Sequence, residues 1–314
     1  MKVFDLHADI GYDVLQKRKV GMKNILRDQH VPLWKKGEVR MIGMASYFEG
    51  TQSWKDMCTM VTTLKDEISQ CDDVVLVTQP EDFEKEGIYA VLTIEGMCGI
   101  QDDVVRKIDW LYDQGIRIAS LTWNEENALA TGTKGNPERG LSDLGVLAVQ
   151  RMKELHMLID VSHTNEKTFW DILKYGSGNV IATHSNAFSL CPHARNLNDE
   201  QIRAIAEQGG VIGIVSAPGF VHRQKEQQDL KHLVAHMKYI KDLTSIDTIA
   251  IGFDFMDFFE GYEDVATKGL SNASYAQNLI DEMRAQGFNE SEIQKIAYEN
   301  AYQKLRSVLK KEKL

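Results

Sequence analysis

A chain of 314 residues that is 43% hydrophobic and 26% charged can bury a large core, and no stretch of it approaches the ~20 apolar residues of a membrane span. Its formal charge of -10, with Lys and Arg dispersed along the chain, argues against nucleic acid as a partner, because phosphate binding needs a basic face. Four well-separated cysteines, Cys58, Cys71, Cys98 and Cys191, form no C-x-x-C pair; they exclude a zinc ribbon or dithiol motif and are expected as reduced, mostly buried thiols.

From the amino terminus onward, short β-branched runs alternate with longer segments of helical period. Met1 to His7 enter a strand-like run directly, without the apolar stretch and small-residue cleavage site of a signal peptide, so a soluble, cytoplasmic protein is expected. Eight strands are predicted: Val3 to Leu6, Met41 to Phe48, Tyr89 to Ile94, Ile116 to Thr122, Leu158 to Val161, Asn179 to Thr183, Val211 to Val215 and Thr248 to Ile251. Several are nearly continuous apolar runs, as expected for parallel strands covered by helices on one side and packed into a barrel interior on the other. The alternation predicts an α/β fold, a (β/α)8 TIM-type barrel. No low-complexity tract or Ser/Gly linker divides the chain, so residues 1–314 are expected to form a single domain. Asn198 or Asp199 should cap a helix through Glu207 that ends at Gly209-Gly210, and Asn289 or Ser291 an amphipathic run from Glu292 to Leu309. The long first connection, Gly11 to Arg40, and the segment Glu125 to Arg139 are the expected active-site loops.

His7 and Asp9 end the first predicted strand, Glu95 the third, His163 the fifth and His184 the sixth, and Asp254 follows the eighth. In a barrel the carboxyl ends of the strands converge on one face, where active sites are assembled. A single His after a strand is usually a hydrogen-bonded neutral side chain. Three imidazoles and two carboxylates together are the ligand set of zinc or a similar divalent ion, and His-x-Asp on an extended strand end aims both side chains the same way. Five ligands exceed a closed tetrahedral site, so two ions are expected, one on His7, Asp9 and Glu95 and the other on Glu95, His163 and His184, with Glu95 bridging. Two ions ~3.5–4 Å apart lower the pKa of a shared water toward ~7 and polarise a scissile carbonyl, which predicts a metal-dependent, amidohydrolase-like enzyme.

These residues lie in segments that resemble the membrane (renal) dipeptidase family of zinc peptidases, family M19, over almost the whole chain. The matching segments are Asp5-Leu6-His7-Ala8-Asp9, Thr93-Ile94-Glu95-Gly96, Ile159-Asp160-Val161-Ser162-His163, Ala182-Thr183-His184-Ser185-Asn186-Ala187, Ala194-Arg195-Asn196, Gly252-Phe253-Asp254-Phe255 and Glu299-Asn300-Ala301. The resemblance implies a soluble bacterial member that cleaves the peptide bond of small dipeptides with a hydroxide bridging two Zn2+ per chain, in a homodimer. Arg195 matches the position that binds the substrate's terminal carboxylate, a task suited to a bidentate guanidinium. Asp254 matches the carboxylate that contacts the free amino group and handles the proton, and Glu95 is catalytic as the metal bridge. Where animal members carry a His that contacts the substrate carbonyl oxygen, this chain reads Thr122-Trp123-Asn124, so Trp123 or Asn124 is expected to face the substrate. The animal proteins are membrane-anchored; this chain ends Lys310-Lys311-Glu312-Lys313-Leu314, and no membrane contact is expected.

His232 and His236, spaced i, i+4, lack the Glu of the metalloprotease helix and read as a helix face, while His193 is a second-rank neighbour of Arg195. Two other readings stay open at this level. One is a different metal-dependent amidase, lactonase or deaminase on the same barrel; the other is a catalytically weakened metal-binding protein in which Trp123 marks lost chemistry.

Overall fold

The computed structural model describes residues 1–262 and 265–309, so the Lys310 to Leu314 tail singled out above lies outside the described residues. Nine strands form: β1 (Val3–Ala8), β2 (Val39–Tyr47), β3 (Val74–Leu76), β4 (Ile88–Glu95), β5 (Ile116–Ser120), β6 (Leu158–Asp160), β7 (Val180–Ile181), β8 (Ile212–Ile214) and β9 (Ile249–Ile251). All eight predicted strands are present, and β3 is an addition. The strands are buried on both faces, every residue of β1, β5, β6, β7, β8 and β9 being buried, which is why they read as Val/Ile-rich runs and not as an alternating pattern.

By internal contacts the chain falls into two compact units. The first comprises Met1–Ala8, Asn24–Gly43 and Ala182–Leu305; the second comprises Asp9–Lys23, Met44–Ile181 and the residues from Arg306 on. In the first unit β1 lies between the leading half of β2 and β9, and β9 pairs with β8. β1 and β9 run parallel with Asp5 opposite Ile251, β8 and β9 run parallel from Ile212–Ile249 to Ile214–Ile251, and Ala182 bridges Ile212 in the same sense. In the second unit β7, β6, β5, β4 and the trailing half of β2 follow in order, with β3 paired to β4. The pairs β3–β4, β4–β5, β5–β6 and β6–β7 are parallel, and the amide of Phe48, just past β2, donates to Glu95 O at 2.9 Å. Parallel pairing of successive strands requires crossovers, and helices such as Val104–Asp113, Asp143–Glu154 and Glu166–Gly176 supply them.

The helix signals in the sequence act as expected. Asn198 and Gln201 form a reciprocal capping box at the start of Asp199–Glu207, both bonds 2.9 Å, a device worth about 1 kcal/mol; Ile202 and Ile205 one turn apart are its buried face, and Gly209 at φ +64 ends it. Asn289 caps Glu290–Gln294; the predicted run then passes through a π turn at Lys295–Glu299 before resuming as Asn300–Val308. The connection Gly11 to Arg40 corrects a sequence expectation. Instead of an open loop it is largely helical, with helices Ile10–Lys19 and Val31–Gly37 and a π turn at Leu26–His30. Glu125 to Arg139 is irregular, as predicted, and is tied down by bridges Glu126–Thr131 and Gly132–Thr164. The four cysteines are free thiols, three of them buried. No helix among the described residues is long and apolar enough to cross a membrane.

Candidate metal centre

In the first unit, alternation along β1 puts Asp5 and His7 on one face. The buried Asp5 carboxylate accepts the amides of His7 at 3.3 Å and Phe253 at 2.8 Å through Oδ1, so one side chain fixes the carboxyl ends of β1 and β9. Burial pushes its pKa up to about 7, against the lowering effect of those two amides. Asp254 follows at φ +57, a left-handed conformation rare for residues other than Gly but accessible to Asp and Asn. Its amide donates to His7 O at 3.2 Å and its Oδ1 lies 3.9 Å from His7 Nε2. The His184 ring stands 3.9 Å from that of His7, centroid to centroid, with the Thr183 hydroxyl 2.8 Å from its Nδ1. Gly213 and Gly252 make this approach possible, since a Cβ on either would stand 1.9 or 1.8 Å from Thr183 O. His7, His184 and Asp254 are thus brought together within this unit.

Arg195 is reached by the segment after His184, which side-chain bonds hold in one conformation. Asn186 donates to Val215 O at 3.0 Å and accepts the Val215 amide at 3.1 Å, and Asn196 accepts the Asn186 amide while donating to Cys191 O and Phe220 O. His236, read from sequence as part of a helix face, is in fact 1% exposed: its Nδ1 accepts the Ala187 amide at 3.1 Å and its Nε2 reaches Val221 O at 2.9 Å. Burial lowers its pKa to about 4, so it serves as a neutral strut. Arg195 itself is buried, with Nη2 3.4 Å from His184 O, and its amide donates to His193 Nδ1 at 3.2 Å. His193 therefore shapes the turn that presents Arg195, and its ring packs 4.3 Å from Phe220.

In the second unit, Asp9 and Glu95 are 5% and 3% exposed, and Glu95 sits opposite Ser120 in the β4–β5 pair. His163 follows a turn in which Asp160 Oδ1 accepts the Ser162 amide at 3.0 Å and the Ser162 hydroxyl at 2.6 Å. Its Nε2 lies 2.6 Å from Glu95 Oε1 and its Nδ1 3.0 Å from Asn124 Oδ1. Asn124 Oδ1 also accepts the Thr133 hydroxyl at 2.8 Å, so His163 presents its Nδ1–H to Asn124 and its Nε2 to the Glu95 carboxylate. A buried carboxylate beside an imidazole whose far nitrogen is held by an amide oxygen is ordinary metal chemistry. The donor set fits a zinc-type ion. Trp123 is part-exposed beside this pair, its ring 6.1 Å from His163 and 5.4 Å edge-on from Tyr47. Asn124 is engaged behind His163 through its oxygen.

Imidazoles and carboxylates at the carboxyl ends of parallel strands define a metal-dependent hydrolase of the (β/α)8 barrel type. Solved structures agree on that fold. A structure described as the dipeptidase AC, a metallopeptidase, superposes with a TM-score of 0.85 at 22% identity, covering 98% of this chain and 99% of that one. A metallopeptidase of Rhodobacter sphaeroides, solved with a phosphinate mimic of the dipeptide L-Ala-D-Ala, gives 0.84 at 22% identity over 97% and 98%. The more distant organophosphorus hydrolase fold gives 0.51 at 8% identity over 89% and 81%. The sequence decides the family: residues 1–313 match the model of the membrane dipeptidase family, peptidase family M19, and the chain belongs to that family, making it a metal-dependent dipeptidase. It is 32% identical over 234 residues to an uncharacterized Klebsiella pneumoniae protein from the pqqA 5' region, covering 72% of this chain and 84% of that protein. It is 27% identical over 312 residues to the uncharacterized dipeptidase C965.12 of Schizosaccharomyces pombe, covering 89% and 73%.

Asp5, Thr183, Asn186, Asn196 and His236 were not picked out by sequence reasoning as site-shaping residues. Asp5 had a legible signal, since Asp5 and His7 alternate along one strand, and Thr183 adjoins His184; Asn186, Asn196 and His236 had none, because most of their partners are distant in sequence.

Proposed function

We propose that the chain is a dinuclear zinc dipeptidase in which His7, Asp9, Glu95, His163 and His184 hold two ions, with Glu95 shared between them. The observation that carries this reading is the buried pair of His163 and Glu95, Nε2 2.6 Å from Oε1, with the far nitrogen of the imidazole held by Asn124 Oδ1. When bound, the ions supply Lewis acidity at the scissile carbonyl and lower the pKa of water toward ~7. The rest belongs to the chain's own residues. Arg195, buried and held by its turn, binds the terminal carboxylate of the substrate. Asp254 binds the free amino group, takes up the proton released on attack and returns it to the departing amine. Asn124 and Thr133 fix the tautomer and orientation of His163, and Trp123 faces the substrate in place of the family's histidine. The same reading makes the protein one functional domain over 1–314, acting on small dipeptides as a cytoplasmic homodimer; its free cysteines suit a reducing compartment.

The test is a panel of dipeptides, their C-terminal amides and matched tripeptides, assayed after chelation and zinc return. Free dipeptides should be cleaved, with the amides poorer by about 100-fold, the scale of losing a charge-assisted contact of roughly 3 kcal/mol to a buried guanidinium. Cleavage of amides or tripeptides as fast as dipeptides would instead favour a general amidase.

A further inference from the structure

The part-exposed Trp123 has an exposed cation on its face: Lys134 Nζ lies 5.5 Å from the ring centroid. That lysine is rigidly mounted. Its amide donates to Asn124 O at 2.8 Å, the amide of Thr133 donates to His163 O at 3.0 Å, and the amide of Gly132 donates to Glu125 O at 2.7 Å, so its backbone is tied to the segments carrying a metal-ligating imidazole and that imidazole's anchor. Gly132 is obligatory in this fold of the loop, because a Cβ there would stand 2.2 Å from Trp123 O.

Three carboxylates near this pair are engaged elsewhere. Glu126 lies 3.6 Å from Arg139 and accepts the Asn136 amide, and Glu49 accepts the Tyr47 hydroxyl. Glu125 accepts from Asn127 Nδ2 at 2.9 Å, and burial raises its pKa, which favours its neutral form. Among the described residues Lys134 has no carboxylate within ion-pair distance, and its ammonium lies over the indole face. An ammonium over an aromatic wall beside His163, on a backbone held by hydrogen bonds, is suited to an anion.

We propose that Lys134 and Trp123 form a specificity subsite for a carboxylate-bearing side chain, so that the enzyme prefers dipeptides containing aspartate or glutamate. The proposal rests on the dipeptidase reading and adds the class of substrate. Trp123 supplies the apolar wall for the methylene groups of the substrate side chain, and Lys134 pairs with its terminal carboxylate. The subsite is separate in role from Arg195, which is assigned to the main-chain carboxylate.

The test compares kcat/KM for isosteric pairs, Ala-Glu against Ala-Gln and Glu-Ala against Gln-Ala, in the zinc-loaded wild type, Lys134→Met and Lys134→Glu. The wild type should favour the acid of at least one pair by about tenfold at low salt, and the margin should shrink toward 0.5 M salt, because an exposed charge pair is screened. Lys134→Met should bring that acid-to-amide ratio to about one, and Lys134→Glu should invert it and favour Ala-Lys or Lys-Ala. Lys134 is exposed, so thermal unfolding should be unchanged and the ratios should report recognition alone. Absence of an acid preference in the wild type, or the same ratio in Lys134→Met, would overturn the proposal while leaving dipeptide cleavage intact. Failure to cleave any dipeptide would instead overturn the dipeptidase reading beneath it.

Discussion

Glu95→Gln should lower dipeptide kcat/KM by at least about 10³-fold and deplete bound metal in the same preparation. Removing a hydrogen-bond partner behind a ligand costs 10–100-fold in affinity or activity, and the proposed function puts Glu95 in direct contact with the ions, so its loss should exceed that range. The amide is isosteric, so the packing around a residue only 3% exposed is preserved. What changes is charge: an anionic oxygen 2.6 Å from His163 Nε2 becomes either a neutral oxygen or an N–H facing the same lone pair. The measurement is paired, with metal content by elemental analysis and turnover on a free dipeptide, and the unfolding temperature of zinc-free protein as the control for folding. Wild-type turnover in the variant would remove Glu95 from the centre altogether.

The second large effect falls on Asp254. Asp254→Asn should reduce kcat by 10²–10⁴-fold, the range of general acid–base catalysis, with metal content close to that of the wild type. The substitution is informative because of the backbone. At φ +57 most side chains would add strain, but Asn tolerates this region as well as Asp does, so the chemistry is removed without disturbing the turn after β9. Its amide can still hydrogen-bond His7 O, and the Asp5 carboxylate still holds Phe253. A variant that bound dipeptide weakly but turned it over at the wild-type kcat would assign Asp254 to substrate binding alone.

What the sequence disclosed and what it withheld follow from the range of each interaction. Residues that end a strand carry their position with them, so His7, Glu95, His163 and His184 could be found from apolar runs and the polar residue that closes each one. The helix Ile10–Lys19 was missed because nothing announces it. It begins directly at Asp9, whose side chain makes no capping bond, and its buried face mixes Ile10 and Val14 with Gly11 and Asp13, which breaks the apolar period. β3 is three residues long and pairs only with β4, too short for a pattern to develop. That the oxygen of Asn124 is turned to His163 was not legible, because it depends on a partner 39 residues away. His236 was masked by its i, i+4 pairing with His232, whereas its working partners, Ala187 and Val221, are 49 and 15 residues distant.

On the proposed function, two ions held by this one chain are needed for the cleavage of dipeptides. Zinc titration of the chelated protein, with dipeptide turnover followed alongside bound metal, tests it most directly. The metal-free chain should be silent, activity should continue to rise until the second equivalent has bound, and the plateau should hold two zinc ions per chain. Full turnover at one equivalent, or undiminished turnover in the chelated protein, would contradict it.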